Sequence, residues 1–363
     1  MLSVCIITKN EEKNIARCLR CLKPYGFELI VADTGSADGT REIALQYTEK
    51  VYDFPWCNDF AAAKNFAVSK ASYPYVMVID SDEFLEKIDV DKLSQMIKQY
   101  PDKVGRIRRR NVFARNGQQQ ENQEWINRIF PKDKFHYEGR IHEQITAMDG
   151  NEYETYQAPV VIEHTGYDLT PEERKEKANR NFTLLMQELE CLEEEAQQEE
   201  KENGQENQQI PYILYQLGKS CYMAEEYGKA CEYFSKGLSY DLNPKLEYVI
   251  DMVETYGYAL LNSGQAEMAL SFENIYEAFG NSADFQFLMG LIYMNNARFE
   301  RAIEEFQKAT RHKECRNKGV NSYSAYYNIG VIYECLGKKE EAVKYYKKCG
   351  AYEPAEKRLI SMK

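Results

Sequence analysis

The chain has no long hydrophobic run. None of its segments approaches the roughly 18 consecutive apolar residues that a helix needs to span a bilayer. Residues 1–7 also lack the basic start of a signal peptide and are predicted to form a first strand. We therefore expect a cytoplasmic protein without a transmembrane segment, which meets any membrane-borne acceptor peripherally at the surface.

Positive charge is scarce as well. The formal net charge is −12, which argues against nucleic acid as the main partner. The one basic cluster is residues 106–110, Arg-Ile-Arg-Arg-Arg. The cluster is interpreted either as the polar face of an exposed strand or as a contact to an anionic donor or acceptor.

Two kinds of motif are missing. The ten cysteines include no pair of CxxC motifs at zinc-finger spacing, so we expect reduced thiols and no structural zinc. The sequence also contains no glycine-rich triphosphate loop, which disfavours a nucleotidyltransferase.

The N-terminal part alternates strand and helix patterns at short intervals. Strand patterns cover residues 2–8, 28–32 and 75–79, and helical patterns cover residues 14–22, 40–47 and 60–69. This alternation predicts βαβ units with a mostly parallel sheet, as in nucleotide-binding domains. Beyond residue 104 the strands shorten, and Asn116-Gly117 and Asp149-Gly150 predict hairpin turns.

The C-terminal part repeats itself. Gly218, Gly257, Gly290 and Gly330 are each followed within four positions by a tyrosine, and after three of them a second helical pattern with alanine and an aromatic residue follows. The repeats resemble tetratricopeptide repeats in four units over residues 210–354. The glycine intervals of 39, 33 and 40 residues exceed the usual period of about 34 in two cases, which predicts longer loops there.

We predict three segments from these patterns. Residues 1–170 form the α/β catalytic domain, residues 171–209 form a helical and acidic linker, and residues 210–363 form the helical repeats. Pro171 opens the linker helix, and its acidic end reads either as a solvated helix end or as a mobile linker.

The most informative motif is Asp80-Ser81-Asp82, directly after an apolar strand. Residues i and i+2 of an extended segment point the same way, and Mg²⁺ and Mn²⁺ prefer oxygen ligands. The motif therefore predicts a metal carrying phosphates, whereas the alternative is a solvated turn.

Four ordered motifs resemble the bacterial family 2 glycosyltransferases. They are residues 6–12 (IITKNEE), 31–40 (VADTGSADGT), 59–67 (DFAAAKNFA) and 80–83 (DSDE). The branch with lipopolysaccharide-core glucosyltransferases and peptide-modifying enzymes is the most similar. The resemblance covers about residues 1–170 and implies a GT-A fold, the Rossmann-like α/β fold of nucleotide-diphospho-sugar transferases, here followed by an all-α repeat domain.

The resemblance also implies roles for individual residues. Asp33, which ends a strand before a Gly-Ser turn, suits hydrogen bonds from a base or ribose. The residues expected to bind the donor are Thr8, Asn10, Glu11, Asp33, Lys64, Asn65, Asp80 and Ser81.

A second group of motifs contains His142-Glu143 and His164. By resemblance Glu143 is the general base, and Asp82 and His164 hold Mn²⁺ or Mg²⁺, with Asp80 and His142 as less certain ligands. In the alternative arrangement His142 binds the metal and His164 supports it. Arg128 is interpreted in one of two ways. It contacts the phosphate or the acceptor, or it is a salt-bridge partner within the protein.

The leading hypothesis is a metal-dependent, inverting glycosyltransferase that uses a nucleotide-sugar, with a UDP-sugar preferred. The acceptor is a glycan, a lipid-linked glycan or a peptide, and the repeats bind it, join two chains or bind a protein partner. The alternative is a non-catalytic adaptor with a sugar-nucleotide-binding domain and protein-binding repeats.

Overall fold

The computed structural model describes residues 2–115, 118–164, 171–203 and 209–362. The chain divides into two compact units, Met1–Pro171 and Glu172–Lys363. Each unit is described by itself.

The first unit is an α/β domain with ten strands and four α-helices in the described residues. Its strands are β1 (Ser3–Thr8), β2 (Glu28–Asp33), β3 (Val51–Asp53), β4 (Tyr75–Asp80), β5 (Glu83–Ile88), β6 (Val104–Arg115), β7 (Gln118–Pro131), β8 (Phe135–Glu138), β9 (Gln144–Ala147) and β10 (Thr155–His164). Its helices are α1 (Ile15–Leu22), α2 (Thr40–Leu45), α3 (Phe60–Ser69) and α4 (Val90–Gln99), and a short 3₁₀ turn spans Lys23–Tyr25.

Eight strands form one mixed sheet in the order β3-β2-β1-β4-β7-β6-β10-β5. The prediction of a mostly parallel sheet holds for β3, β2, β1 and β4, which are parallel. The other half is mixed, because β6 and β10 are parallel, whereas β7 is antiparallel to both of its neighbours and β5 is antiparallel to β10. The direct β6–β7 connection is too short for a parallel crossover, which explains the antiparallel pairing of these two strands.

The two predicted hairpin turns have different outcomes. Asn116-Gly117 lies outside the described residues. Asp149-Gly150 follows β9, which belongs to the small β8–β9 sheet, and precedes β10, which belongs to the large sheet. The prediction of a hairpin is therefore wrong there, although Gly150 does turn the chain with a φ of 71°.

Apolar side chains fill both faces of the large sheet. One face packs against α1, with Leu19 and Leu22 buried beside Ile79. The other packs against α3, with Ala63 and Ala67 buried beside Val78. Because both faces are covered, β1 and β4 are continuous apolar runs rather than alternating ones.

The second unit is helical. Its helices are α5 (Pro171–Asn203), α6 (Gln209–Met223), α7 (Tyr227–Gly237), α8 (Glu247–Asn262), α9 (Tyr276–Phe279), α10 (Ala283–Asn295), α11 (Phe299–Ala309), α12 (Tyr323–Cys335), α13 (Lys339–Lys348) and α14 (Glu353–Ser361), with a 3₁₀ helix over Met268–Ile275 before α9. The segment predicted as a linker contains α5, in which Leu185 and Leu189 are buried.

The repeat glycines lie where paired helices approach most closely. A Cβ atom on Gly218 would lie 2.5 Å from the ring of Phe234, and one on Gly290 would lie 2.6 Å from the ring of Phe306. Gly330 has the same relation to Tyr346. The second helix therefore places its aromatic ring in the gap that the glycine leaves, as the repeat pattern predicts.

Among the described residues, no helix combines the length and the apolar character that crossing a membrane requires.

Candidate functional site

Three predicted donor-binding residues lie at one edge of the large sheet. Thr8, Asp33 and Asp80 end the parallel strands β1, β2 and β4, with Thr8 paired to Asp33 and Ile7 paired to Asp80. The carboxyl ends of parallel strands therefore bring these side chains to one edge, where open α/β sheets bind ligands.

Asp33 organises the turn that follows β2. Its Oδ1 accepts hydrogen bonds from the backbone amides of Gly35 (2.9 Å) and Ser36 (2.8 Å). Asn10, with a φ of 55°, ties the neighbouring loop to this turn, because its Oδ1 accepts from the Ala37 amide at 2.8 Å. The Glu11 amide donates to Thr40 Oγ1 at 2.7 Å. The two loops thus form one connected rim.

Two hydroxyl groups at the site are buried and have no hydrogen-bond partner within the described part of the chain. They are Thr8 Oγ1 and Tyr137 Oη, in residues that are each 3% exposed. Burial raises the pKa of Tyr137 to about 12, so its hydroxyl stays protonated and can donate. A buried hydroxyl without a partner costs roughly 1–3 kcal/mol, and a bound ligand that pairs with it removes this cost.

Asp80 lies between two buried cations. Lys64 Nζ is 2.9 Å from its Oδ1, and an Arg128 guanidinium nitrogen is 2.9 Å from its Oδ2. Burial opposes ionisation of Asp80, but Lys64 and Arg128 together hold its pKa below the usual range. In this structure both oxygens of Asp80 are engaged by protein cations, so Asp80 does not present an open pair of metal-binding oxygens.

Glu83 orders the turn after β4. Its Oε2 accepts from the Asp80 amide at 2.9 Å, while its Oε1 contacts Arg128 at 2.9 Å and Arg109 at 3.2 Å. Ser81, which lies between Asp80 and Glu83 in the sequence, is buried at 6% exposure. Of the alternatives for Arg128, the structure shows the salt bridge.

Lys64 connects Asp80 to Glu143. Its Nζ is 2.5 Å from Glu143 Oε1, and Lys64 is 2% exposed. Burial alone would lower the pKa of Lys64, but Asp80 and Glu143 raise it above its usual value. One ammonium group is therefore shared by a predicted donor-binding carboxylate and the predicted base.

Asn65 has a positioning role in this structure. Its Nδ2 donates to the Tyr137 carbonyl and its Oδ1 accepts from the Tyr137 amide, both at 2.9 Å. The Phe60 amide, at the start of α3, donates to the Arg140 carbonyl at 2.8 Å. Helix α3 therefore holds the segment before Glu143 at several points.

Within that segment His142 has a φ of 53°, and its carbonyl accepts from Gln144 Nε2.

His164 and Asp82 lie together. His164 Nε2 is 3.3 Å from Asp82 Oδ2, and His164 Nδ1 is 2.8 Å from Asn111 Oδ1. Asn111 Nδ2 donates to Asn122 and Glu124, both at 2.7 Å, so Asn111 Oδ1 is the acceptor for His164 Nδ1–H. With Nδ1 donating to Asn111, Nε2 is the ring nitrogen that faces Asp82.

The Asp82–His164 pair fits a divalent cation. A carboxylate oxygen and an imidazole nitrogen held by a second amide are the donor set and supporting contact typical of protein metal sites. Within the described ranges, no group of three or more His, Cys, Asp or Glu side chains is gathered for a metal. Two such side chains would supply two of the ligands of a divalent cation, which usually keeps further positions for water or substrate oxygens.

The basic cluster on β6 is used within the protein. Arg109 pairs with Glu124 at 2.8 Å, and Arg110 pairs with Glu86 and Glu163 at 3.0 Å. Arg108 lies over the ring of Trp125 at 4.9 Å. The expectation of a polar strand face is therefore the one that fits these contacts.

Two residues of the site were given no role from the sequence. They are Asn111, which orients His164, and Tyr137, whose hydroxyl has no described partner. Arg109 was predicted only as a member of the basic cluster and not as a partner of Glu83. The only sequence signal for Asn111 is a polar residue within a strand pattern, which is too common to identify it.

The family models match both parts of the chain. The model of glycosyl transferase family 2 matches residues 3–154, and the tetratricopeptide repeat model matches residues 283–311 and 323–355. Residues 3–154 form a glycosyl transferase family 2 domain. The resemblance in the four motifs is thereby confirmed, as is a GT-A-like domain followed by helical repeats.

Relatives of this family 2 domain include named glycosyltransferases. The chain is 25% identical over 243 residues to the glycosyltransferase SunS of Bacillus subtilis, covering 64% of this chain and 52% of SunS. It is 31% identical over 160 residues to the lipopolysaccharide core biosynthesis glycosyltransferase LpsC of Rhizobium meliloti, covering 41% of this chain and 58% of LpsC. The chain thus spans little more than half the length of either relative.

Among solved structures, the chain is similar to S. aureus TarS. Their sequence identity is 15% and the TM-score is 0.37, with 76% of this chain and 55% of TarS covered.

Proposed function

We propose that the protein is a metal-dependent, inverting glycosyltransferase that uses a nucleotide-sugar, with UDP as the preferred nucleotide. The observation that carries this proposal is the gathering of Asp33, Asp80, Asp82, Glu143 and His164 at one site of a family 2 domain. The SunS and LpsC relatives, both named as glycosyltransferases, support the reaction class.

The nucleotide is assigned to the rim formed by the loops after β1 and β2. Asp33 uses Oδ1 within its own turn, and we assign its second oxygen to the ribose or base. Thr8 Oγ1 supplies a buried hydroxyl that a ligand can satisfy. Asn10 and Glu11 shape this rim through backbone contacts.

We assign Asp82 and His164 as the protein ligands of Mn²⁺ or Mg²⁺. When bound, the cation would neutralise charge that develops on the leaving diphosphate. Asn111 holds His164 in the tautomer that such binding needs.

Glu143 is assigned as the base. The acceptor nucleophile forms a bond to the anomeric carbon, the bond from that carbon to the diphosphate oxygen breaks on the opposite face, and the acceptor proton passes to Glu143. Lys64 fixes Glu143 Oε1 at 2.5 Å, so Oε2 is the oxygen that we assign to the proton. Displacement from the opposite face inverts the anomeric centre.

The first experiment is a screen of nucleotide-sugars with Mn²⁺, read out as released nucleotide. Asp82→Asn should abolish metal-dependent donor hydrolysis while the variant stays folded by circular dichroism. Asp91→Asn, an exposed charge on α4, is the matched control and should behave as the unaltered protein. Unchanged turnover in Asp82→Asn would overturn the proposal.

A calorimetric titration decides between this proposal and the adaptor. An enzyme binds its nucleotide-sugar in the presence of Mn²⁺, whereas failure to bind any nucleotide-sugar would favour a non-catalytic adaptor. The acceptor, whether glycan, lipid-linked glycan or peptide, is then identified by transfer assays with the matching donor.

A further inference from the structure

One face of the helical unit is defined by the repeat glycines. In the first helix of each repeat, the residues six and three before the glycine and one after it share a helix face, because their spacing is i, i+3 and i+7. On α8 these positions are Asp251, Glu254 and Tyr258, and on α10 the first of them is Asp284. We call this face the groove stripe.

Neighbouring helices bring their stripe residues into contact. On α6 the stripe positions include Tyr215 and Lys219. The Tyr215 hydroxyl donates to Asp251 Oδ2 at 2.6 Å, and Lys219 Nζ is 3.0 Å from the same oxygen. The stripes of α6 and α8 therefore form one continuous surface, of the kind that stacked helical repeats use to bind partners.

The chain itself occupies this surface. Residues 310–322, which connect α11 to α12, account for the long interval between Gly290 and Gly330. Asp284 Oδ2 accepts from the Arg316 amide at 2.8 Å, and Asp284 Oδ1 accepts from the Asn317 amide at 2.9 Å. His312 Nε2 is 3.1 Å from Gln286 Oε1 on α10. The segment therefore lies against α10 as a bound peptide would.

Arg316 is the charged contact of this segment. Its guanidinium pairs with Glu254 Oε2 and lies 3.3 Å from Asp251 Oδ1. The Arg316 side chain is 36% exposed, whereas Glu254 and Asp284 are each 3% exposed. The carboxylates of this contact therefore belong to helices α8 and α10, whereas its arginine belongs to the loop of residues 310–322.

Arg316 does not pair with every carboxylate oxygen of the groove stripe. Glu254 Oε1 is buried and has no hydrogen-bond partner within the described part of the chain. Arg316 uses one oxygen each of Glu254 and Asp251, whereas a guanidinium approaching Glu254 in the bidentate geometry would pair with both of its oxygens. An arginine that paired with both oxygens of Glu254 would therefore satisfy the groove stripe more completely than Arg316 does.

We propose that the groove stripe at Asp251, Glu254 and Asp284 is a binding site for an arginine side chain of a partner polypeptide, and that residues 310–322 occupy it as an internal competitor. A partner must displace Arg316, so its apparent affinity is reduced by the fraction of molecules in which the groove is open. Removal of Arg316 raises that fraction.

The test uses the full chain and a fluorescein-labelled peptide with the sequence of residues 312–320, acetylated and amidated at its ends. A second peptide carries citrulline, the neutral isostere, in place of arginine. Fluorescence anisotropy should show that Arg316→Ala binds the arginine peptide at least about tenfold more tightly than the unaltered chain, a change equal to about 1.4 kcal/mol. The citrulline peptide should show no gain, and Glu254→Gln in the Arg316→Ala background should remove it.

Equal binding by Arg316→Ala and the unaltered chain would overturn the proposal, as would equal binding of the two peptides. Circular dichroism establishes that Arg316→Ala is folded. If it is not, Arg316→Lys takes its place, because lysine keeps the charge but loses the planar pair of donors. It should then show a smaller gain in the same direction, and no gain would count against the proposal.

Discussion

The two units each contain a buried network of ion pairs, and the networks differ in the element that supplies one of the cations. In the family 2 domain the cations Lys64 and Arg128 are nearly fully buried and come from α3 and β7. In the helical unit the carboxylates of Glu254 and Asp284 are buried, and the cation Arg316 comes from a loop. A cation fixed in regular structure holds a site in one geometry, whereas a cation on a loop can leave.

This difference predicts unequal costs for removing each cation. Lys64→Met leaves the carboxylates of Asp80 and Glu143 close together without their shared ammonium, and loss of one partner of a buried pair costs about 3–5 kcal/mol. Urea denaturation should show a loss of that size. Arg316→Met should cost less than about 2 kcal/mol, because Arg316 is partly exposed and Glu254 can take up a proton instead. Equal losses would remove the contrast between the two networks.

The pH dependence of stability sharpens the same comparison. Burial raises the pKa of Glu254 to about 7 from an ordinary value of 4.5, despite the opposing effect of Arg316, while Asp284 and Asp251 add to the rise. The folded state therefore binds this proton more tightly than the unfolded state, so stability falls as the pH rises from about 4.5 to 7, by about 3 kcal/mol in total.

Glu254→Gln should abolish this fall, as measured by urea denaturation followed by circular dichroism between pH 5 and 8. Asp251→Asn is the control of opposite sign. Lys219 and Arg316 lower the pKa of Asp251 despite its burial, so this carboxylate stabilises the fold above its unfolded pKa and its removal should destabilise the unit at pH 8. A persistent slope in Glu254→Gln would show that another group titrates.

A smaller effect is expected at the supporting contact of the proposed metal site. Asn111→Ala removes the acceptor that fixes the His164 tautomer, and loss of such a contact typically weakens metal binding about 10- to 100-fold. Calorimetry with Mn²⁺ alone measures this without any assay of activity. Asn122→Ala, which removes only a neighbour of Asn111, should have a weaker effect, and the reverse order would contradict the assignment.

Effects of similar or smaller size and of opposite sign are expected from two glycines in the helical unit. Gly290→Ala places a Cβ 2.6 Å from the ring of Phe306, and such overpacking costs about 1–3 kcal/mol. Gly228→Ala, in α7, adds a Cβ with no other atom of the described residues within 4 Å, and should stabilise by up to about 1 kcal/mol because alanine favours the helix. Thermal unfolding of both variants should give opposite signs.

Much of the architecture can be predicted from the sequence because it depends on local patterns. The apolar runs that stop at Thr8, Asp33 and Asp80 predict the strand ends, and the recurring glycines predict the helix pairs. These signals depend on residues a few positions apart, where backbone periodicity acts directly.

The contacts that join distant strands are not readable in this way. His164 meets Asn111 because β10 pairs with β6 in a particular register, and the antiparallel pairings of β4 with β7 and of β5 with β10 join strands far apart in sequence, which no local pattern encodes. The contact of Arg316 with α8 likewise depends on how a loop folds back over helices far away in sequence. The roles predicted for individual site residues stay predictions until the variants are measured.

The attachment of α3 to the segment before Glu143 has a consequence for engineering. Asn65 pairs with the backbone of Tyr137 much as a neighbouring strand would, and Phe60 and Lys64 hold the same segment at two further points. Because Asn65 and Phe60 bind backbone atoms, which any residue supplies, residues 137–142 can be exchanged for those of a relative without losing these contacts. The contact that depends on a side chain of the segment is Lys64 with Glu143, so an exchange should keep Glu143 and leave α3 in place.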